Sequence, residues 1–446
     1  MKASRARRSP SPLALPSQLT VPVNRRNVLA GALGLGALGA LTACGGGTGA
    51  DSDGTGAITF GSNQSDAVPR AAYQRAIDAF TSDSGIDVSV NTIDHNTFQE
   101  QVNSYLQGDP DDVFTWFAGY RMRYFADQGL VAPINEVWDN VGDMFSESMK
   151  EASAASDGNQ YFVPYSYYPW VMNYRKSVFE EHGWEPPTTL DELKELGSEM
   201  EQAGLTPIAF ADRGGWEAFG MFDILNMRIN GFDFHQELMA GEKDWTSGDV
   251  KEVFKTWADL LPLHQEGALG RDWQEAAQAL QQRNAGMYFL GTFVSQQFQD
   301  DDDPSQIEDL GFFTFPEINA DHGTDSIDAP IDGFMMSAQT ENGGSGRQLL
   351  EFLASAEAQK INVDADKGLV AANDDTDTGD YSQLQQDAKD IVDNAKHIAQ
   401  FLDRDTRPDF ASTVMIPSIQ SFIRDPESID SILESIEEQK KTIFVD

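Results

Sequence analysis

The chain holds one cysteine, Cys44, in 446 residues. No disulfide can form within it, so packing has to supply its stability. Basic residues are scarce as well: 31 Lys and Arg stand against 72 Asp and Glu, a formal net charge of −41. A surface of that sign disfavours nucleic acid and anionic lipid headgroups. No apolar run reaches the ~20 residues that a membrane-spanning helix needs. The six histidines (His95, His182, His235, His264, His322 and His397) are scattered, with no zinc-ligand spacing. G-x-S-x-G, H-E-x-x-H and Walker A stretches are missing. The acidic stretch 374–380 lacks the glycine and the closing glutamate of a calcium loop. These absences predict no metal, no cofactor and no catalytic residues.

What is present begins with a leader. Six basic residues and no acidic ones stand ahead of Cys44, two of them in Asn24-Arg25-Arg26-Asn27. An apolar run over 28–41 follows, too short to span a bilayer, and ends in Leu41-Thr42-Ala43-Cys44. The pattern resembles a twin-arginine signal peptide closed by the lipobox of bacterial and archaeal lipoproteins. That resemblance implies removal of residues 1–43 and a lipid on Cys44. The protein would then sit at the outer face of the cell membrane, touching the membrane through the lipid alone. Residues 44–56, largely GGGTGADSDGTG, read as a flexible tether. From Cys44 on, 403 residues carry 25 basic and 72 acidic side chains, −47 net. That length suits two lobes better than one core.

A strand at Ile58-Thr59-Phe60 precedes a helix with Tyr73, Ile77 and Phe80 on one face. A strand over 86–90, a helix with Phe98, Val102 and Leu106, and a strand over 112–116 follow. The alternation predicts a parallel, helix-flanked sheet with its ligand crevice beyond the strand ends. The centre of the chain is residues 161–175, YFVPYSYYPWVMNYR, with five Tyr, one Phe and one Trp. Pro164 and Pro169 bar a helix there. The stretch predicts two short strands, with Tyr165 to Tyr168 as an aromatic joint crossing between lobes. Later come a helix opened by a Thr189–Glu192 capping box, a strand over 206–210, helices over 250–264 and 273–283, and a strand over 286–290. Residues 328–336 read as a second crossing.

The order of pieces resembles the carbohydrate-binding group of extracellular solute-binding proteins of ABC importers. It rests on Asp109-Pro110-Asp111-Asp112-Val113, Gly129-Leu130-Val131-Ala132-Pro133-Ile134, Val163-Pro164 and Asn173-Tyr174-Arg175-Lys176. It continues through Pro187-Thr188-Thr189-Leu190-Asp191-Glu192-Leu193, Ala285-Gly286-Met287, Gly291-Thr292-Phe293 and Glu351-Phe352-Leu353-Ala354-Ser355. The resemblance implies an α/β, two-lobed periplasmic-binding-protein-like fold, with hinge strands and an interlobe cleft that closes over a sugar. It implies membrane permease subunits of an ABC transporter as partners. One lobe would take residues 57–164 and 331–370, the other 165–330 and 371–446. By position, Trp116, Phe117 and Arg121 fall where family members line the cleft, and Phe293 where many place a stacking Trp.

A sugar offers C–H faces to aromatic rings and hydroxyls to carboxylates and amides. The candidate platforms are Trp116, Phe117, Tyr165, Tyr167, Trp170, Trp216, Trp273 and Phe293. The candidate polar groups are Asn63, His95, Asn96, Arg121 and Asp332, with Gly333 beside the last. So many rings predict an oligosaccharide ligand. The alternative is a cell-surface glycoside hydrolase lipoprotein, which needs two carboxylates facing across the sugar.

Overall fold

The structure, a computed structural model, describes residues 54–300 and 302–445. The expected twin-arginine leader, Cys44 and the expected tether up to residue 53 lie outside the described residues. The tether's last residues are held rather than free, since Ser345 N donates to Gly54 O and Ser345 Oγ donates to Gly56 O.

Twelve strands are present among the described residues: β1 (Ile58–Ser62), β2 (Val88–Thr92), β3 (Val113–Phe117), β4 (Val163–Tyr167), β5 (Trp170–Arg175), β6 (Thr206–Ala209), β7 (Ala285–Gly291), β8 (Leu310–Phe313), β9 (Ser326–Asp328), β10 (Ile331–Met336), β11 (Val370–Ala371) and β12 (His397–Ala399). The first lobe is built on a six-stranded sheet of order β11-β4-β10-β3-β1-β2, the second on a four-stranded sheet of order β6-β7-β5-β8. β1 runs parallel to β2 and β3, as the strand–helix alternation predicts. β10 returns antiparallel between β3 and β4. β9 and β12 form a separate parallel pair.

Helical spacing places the helices of the first lobe. α1 (Ala67–Ser84) buries Tyr73, Ala76, Ile77 and Phe80 and ends at Gly85. α2 (His95–Gln107) buries Phe98, Val102 and Leu106. Its N-cap is Asp94, whose Oδ1 accepts from Thr97 N at 3.0 Å. α3 (Tyr120–Asp127) follows β3 directly. In the second lobe the Thr189–Glu192 capping box is formed and opens the helix Leu190–Gln202.

The aromatic centre departs from the expectation. Tyr165, Ser166 and Tyr167 are not a joint; they belong to β4, and Tyr168-Pro169 alone crosses to β5. A proline is tolerated inside β4 because the β10 register shifts between Asp332 and Gly333, opposite Pro164. Pro164 stands opposite Gly333, next to Tyr165, the residue that the bulge leaves unpaired. A Cβ on Gly333 would overlap the Val163 carbonyl oxygen, so only glycine fits there. Residues 329–330 make the second crossing, again at a proline. β4 and β11 carry the first sheet to Tyr167 and Ala371, a little beyond the expected lobe boundaries.

Candidate functional site

The loops after the strands of both lobes face one cavity of about 360 Å³. On the first-lobe side the turn after β1 brings Gln64 and Asp66, and the start of α2 brings His95, Asn96 and Gln99. On the other side the loop after β6 brings Arg213, Trp216 and Glu217, and the helix Trp273–Gln281 brings Trp273 and Gln274. The crossings supply Tyr168, Trp170 and Asp332. The lobes meet across the cavity: Gln274 Nε2 donates to Asp66 at 3.2 Å, and Trp216 Nε1 donates to Asn96 Oδ1 at 3.2 Å.

One wall is aromatic. Trp170 stacks on Phe401 with centroids 4.5 Å apart and meets Trp216 edge-on at 6.3 Å. Phe293 is the hub of the group, with Tyr168 and Trp273 each 5.2 Å away at near-perpendicular angles. Edge-to-face packing of this kind fixes the rings before a ligand arrives.

The other wall is a polar network centred on Arg404. Its Nη1 donates to Asp332 Oδ1 at 2.9 Å, its Nη2 to Tyr168 Oη at 2.9 Å, and its guanidinium lies 3.9 Å over the Phe117 ring. Burial works against its charge, but Tyr168, Asp332 and Asp403 outweigh that and raise its pKa. Beside it, Asp403 Oδ2 accepts from Arg121 Nη1 at 2.9 Å. The same nitrogen donates to Gln99 Oε1 at 2.6 Å, which turns the Gln99 Nε2 toward His95 Nε2, 2.7 Å away. Arg121 can only donate, so Gln99 must donate in turn, and the His95 proton sits on Nδ1. Burial, with Arg404 adding to it, pushes His95 down to about 4, so the ring is neutral at pH 7.

The cavity carboxylates are held in the opposite sense. Burial pushes Asp366 up to about 6 against hydrogen bonds from Gly368 N and Gln296 Nε2. It pushes Glu217 up to about 7. Asp332 is also raised by burial, although Arg404 pulls it back.

Of the residues singled out from the sequence, His95, Asn96, Trp170, Trp216, Trp273, Phe293 and Asp332 line the cavity together. The others do not. Trp116 is 1% exposed, packed among Phe98, Phe117 and Phe125, with the Arg121 guanidinium 4.8 Å over its ring. Its place at the end of β3 turns it into the core. Phe117 and Arg121 stand behind the wall, supporting Arg404 and Asp403 rather than facing a ligand. Asn63 is buried, accepting from Thr115 Oγ1 at 2.9 Å and tying β1 to β3. Tyr165 packs on Phe334 and Tyr73 and donates to Ala358 O at 2.9 Å. Tyr167 is buried beside β11, its backbone paired with Ile331 and Val370. Gly333 serves the bulge.

Sequence reasoning missed Asp66, Tyr168, Glu217, Asp366, Phe401, Asp403 and Arg404. Asp403-Arg404-Asp405 reads as one more solvated charge run in an acidic chain. No local signal marks it in the sequence; only the structure shows Phe401 beside it held at φ 105°, a conformation rare for a bulky residue.

Two α/β lobes whose loops close a cavity with an aromatic wall and a polar wall define a solute receptor. The chain belongs to the bacterial extracellular solute-binding protein family, whose family model matches residues 65–360. Among solved structures it is similar to the bacterial solute receptor AcbH, described as having an exclusive preference for β-D-galactopyranose. That likeness has 43% identity and a TM-score of 0.85, covering 88% of this chain and 100% of that one. A chitin oligosaccharide binding protein shares the fold at 21% identity and a TM-score of 0.78, over 86% of this chain and 98% of that one. An uncharacterized ABC transporter extracellular-binding protein of Pyrococcus horikoshii is 23% identical over 63% of this chain. The match spans 62% of that relative's length.

Proposed function

We propose that this chain is a receptor that binds a sugar in the interlobe cavity and hands it to the permease of an ABC importer, without itself catalysing a reaction. The observation that carries the reading is the facing of the two walls. Fixed rings on one side suit the C–H faces of a sugar, and neutral His95, Asn96 and the Arg404–Asp332 pair on the other suit its hydroxyls. The twin-arginine leader and lipobox support export and anchoring at the outer face of the membrane through Cys44.

The number of rings favours an oligosaccharide. A second reading, a single pyranose, rests on two observations. The cavity lies near the small end of the ~300–1,000 Å³ range of ligand sites, and the 43% identical receptor is described as preferring a single sugar.

The test is calorimetric titration with D-galactose, lactose, raffinose and chitobiose, followed by chromatography of the incubated mixtures. Saturable binding without products supports the receptor. Cleaved sugar would establish the hydrolase instead, and no binding across the panel would overturn the sugar reading.

A further inference from the structure

The loop after β6 carries Asp212-Arg213-Gly214-Gly215-Trp216-Glu217 into the helix Phe219–Asn230. Glu217 lines the cavity yet is only 6% exposed. Its Oε1 accepts from Gly214 N at 3.4 Å, a long bond. Its Oε2 has no hydrogen-bond partner among the described residues. The nearby indole does not serve it, because Trp216 Nε1 is committed to Asn96 across the cavity. The two groups share the space over Gly214, where a Cβ would stand 2.8 Å from Trp216 Nε1 and 3.0 Å from Glu217 Oε2. A buried carboxylate oxygen without a donor is costly, and in a ligand cavity a hydroxyl of the ligand can supply that donor.

We propose that Glu217 is the specificity-determining acceptor of this site, its Oε2 accepting a hydrogen bond from one ligand hydroxyl while the adjacent Trp216 ring covers the sugar face. The inference rests on the receptor reading above and goes further by naming the residue that selects the ligand's substituent.

The surroundings restrict that substituent to a hydrogen-bond donor. Asp272 adds its charge to the field at Glu217. Asp212 stands behind it, and Tyr288 of β7 faces it together with Arg271. The neighbouring cations are engaged: Arg213 with Asp272 and Glu275, and Arg271 with the carbonyls of Phe210 and Glu266. A ligand carboxylate or phosphate at this end would meet Glu217 and Asp272 with no uncommitted cation between them. A hydroxyl, or a protonated amine, would satisfy the free oxygen.

Proton linkage follows. Burial pushes Glu217 up to about 7, so part of the population is protonated at neutral pH. A hydroxyl donates more strongly to the ionised carboxylate. The bound form therefore has the lower pKa, and binding releases a proton. Affinity should tighten as pH rises from about 6 to about 8 and then level. Asp366, pushed to about 6, adds its own contribution at the lower end, so Glu217 has to be isolated by substitution.

The experiment titrates the full-length receptor with D-galactose, or with the panel sugar that binds best, and with the monodeoxy analogues of that sugar. Wild type is compared with Glu217→Gln and Glu217→Ala at pH 6, 7 and 8, with melting curves to verify folding. Glu217→Gln should weaken binding roughly 10- to 100-fold, the scale of a hydrogen bond to a charged group, and should flatten the pH profile. One monodeoxy analogue should bind wild type weakly, yet lose little on going from wild type to Glu217→Ala, since the hydroxyl and the carboxylate act as a pair. If the variants do not fold, wild type still decides: titration in buffers of different ionisation enthalpy should show proton release on binding that is largest near pH 7, above the range in which Asp366, pushed to about 6, takes up its proton. Equal affinity and an unchanged pH profile in a folded Glu217→Gln, or binding without proton release, would overturn the inference and leave the receptor reading standing. Failure of wild type to bind any sugar of the panel would take both down.

Discussion

At the scale of single residues, the two tryptophans that look alike in the sequence have opposite jobs. Trp216 is half-buried at the cavity and Trp116 is sealed in the core. Trp216→Ala should weaken sugar binding by about 1–3 kcal/mol, the scale of burying a large apolar side chain, with the apo melting temperature little changed. Trp116→Ala should cost about 3–5 kcal/mol of folding stability and leave affinity near wild type in the folded fraction. Titration and denaturant unfolding of both variants check this; a Trp216 variant that melts early and binds normally would remove it from the site. Glu217 makes a second prediction, about the empty protein. Its folded pKa is raised by burial from 4.5 to about 7, so the folded state holds the proton more tightly than the unfolded chain. Any stability linked to it is fully present below the unfolded value and is lost as pH rises through about 7. Glu217→Gln removes that dependence. It should raise the apo melting temperature at pH 8, by up to about 3 kcal/mol of stability at 1.36 kcal/mol per pKa unit, and change it little at pH 4. An equal effect at both values would mean that the carboxylate is not under that burial penalty.

At the scale of elements, the short helix Leu402–Asp405 matters most, since it delivers Asp403 and Arg404. It is fastened at both sides. Leu402 N donates to Asp223 Oδ2 of the helix Phe219–Asn230 at 2.7 Å. The start of α3 meets it at Gly119, where φ is 95° and a Cβ would stand 2.8 Å from the Arg404 carbonyl oxygen. Gly119→Ala is therefore strained twice, by the left-handed backbone and by the contact. It should destabilise the protein by about 1–3 kcal/mol and should weaken sugar binding in the folded fraction, because the helix that carries Arg404 is displaced. Unfolding and titration together read both effects; a variant as stable and as tight-binding as wild type would show that this approach does not hold Arg404 in place. The element boundaries also explain the misplaced aromatic joint. Prolines at 164 and 169 look equivalent in the sequence, but the bulge opposite Pro164 lets one continue a strand while the other ends it.

At the scale of the whole molecule, crossings at Tyr168-Pro169 and residues 329–330, with a third past β11, connect lobes that already touch through Gln274–Asp66, Trp216–Asn96 and Arg121–Asp403. A bound sugar adds contacts to both lobes that exist only when the lobes are together, so binding favours the closed arrangement. Small-angle scattering should give a smaller radius of gyration at saturating sugar than without it. An unchanged radius would argue for a rigid pocket. The proposed lipid anchor makes the last prediction: if Cys44 carries it, Cys44→Ala should release the protein into the medium or leave the precursor uncut. A variant processed and held at the membrane like wild type would defeat the lipoprotein assignment.

Local pattern was enough to read the parallel β1–β2–β3 arrangement, the capping box at Thr189, the two-lobed class and the cavity positions of His95, Asn96, Trp170, Trp216, Trp273, Phe293 and Asp332. Each follows from periodicity, turn chemistry or position just past a strand end, all of which act over a few residues. Local pattern could not decide which ring at a strand end points to the cavity, because Trp116 and Trp216 differ only in what packs against them from distant segments. Nor could it show that Asp403 and Arg404, hundreds of residues from Arg121 and far from Asp332 in the chain, complete the polar wall. Their charges find partners only once distant segments are folded together, and it is burial there, a property of the whole fold, that turns an ordinary Asp-Arg pair and an ordinary Glu217 into parts of a binding site.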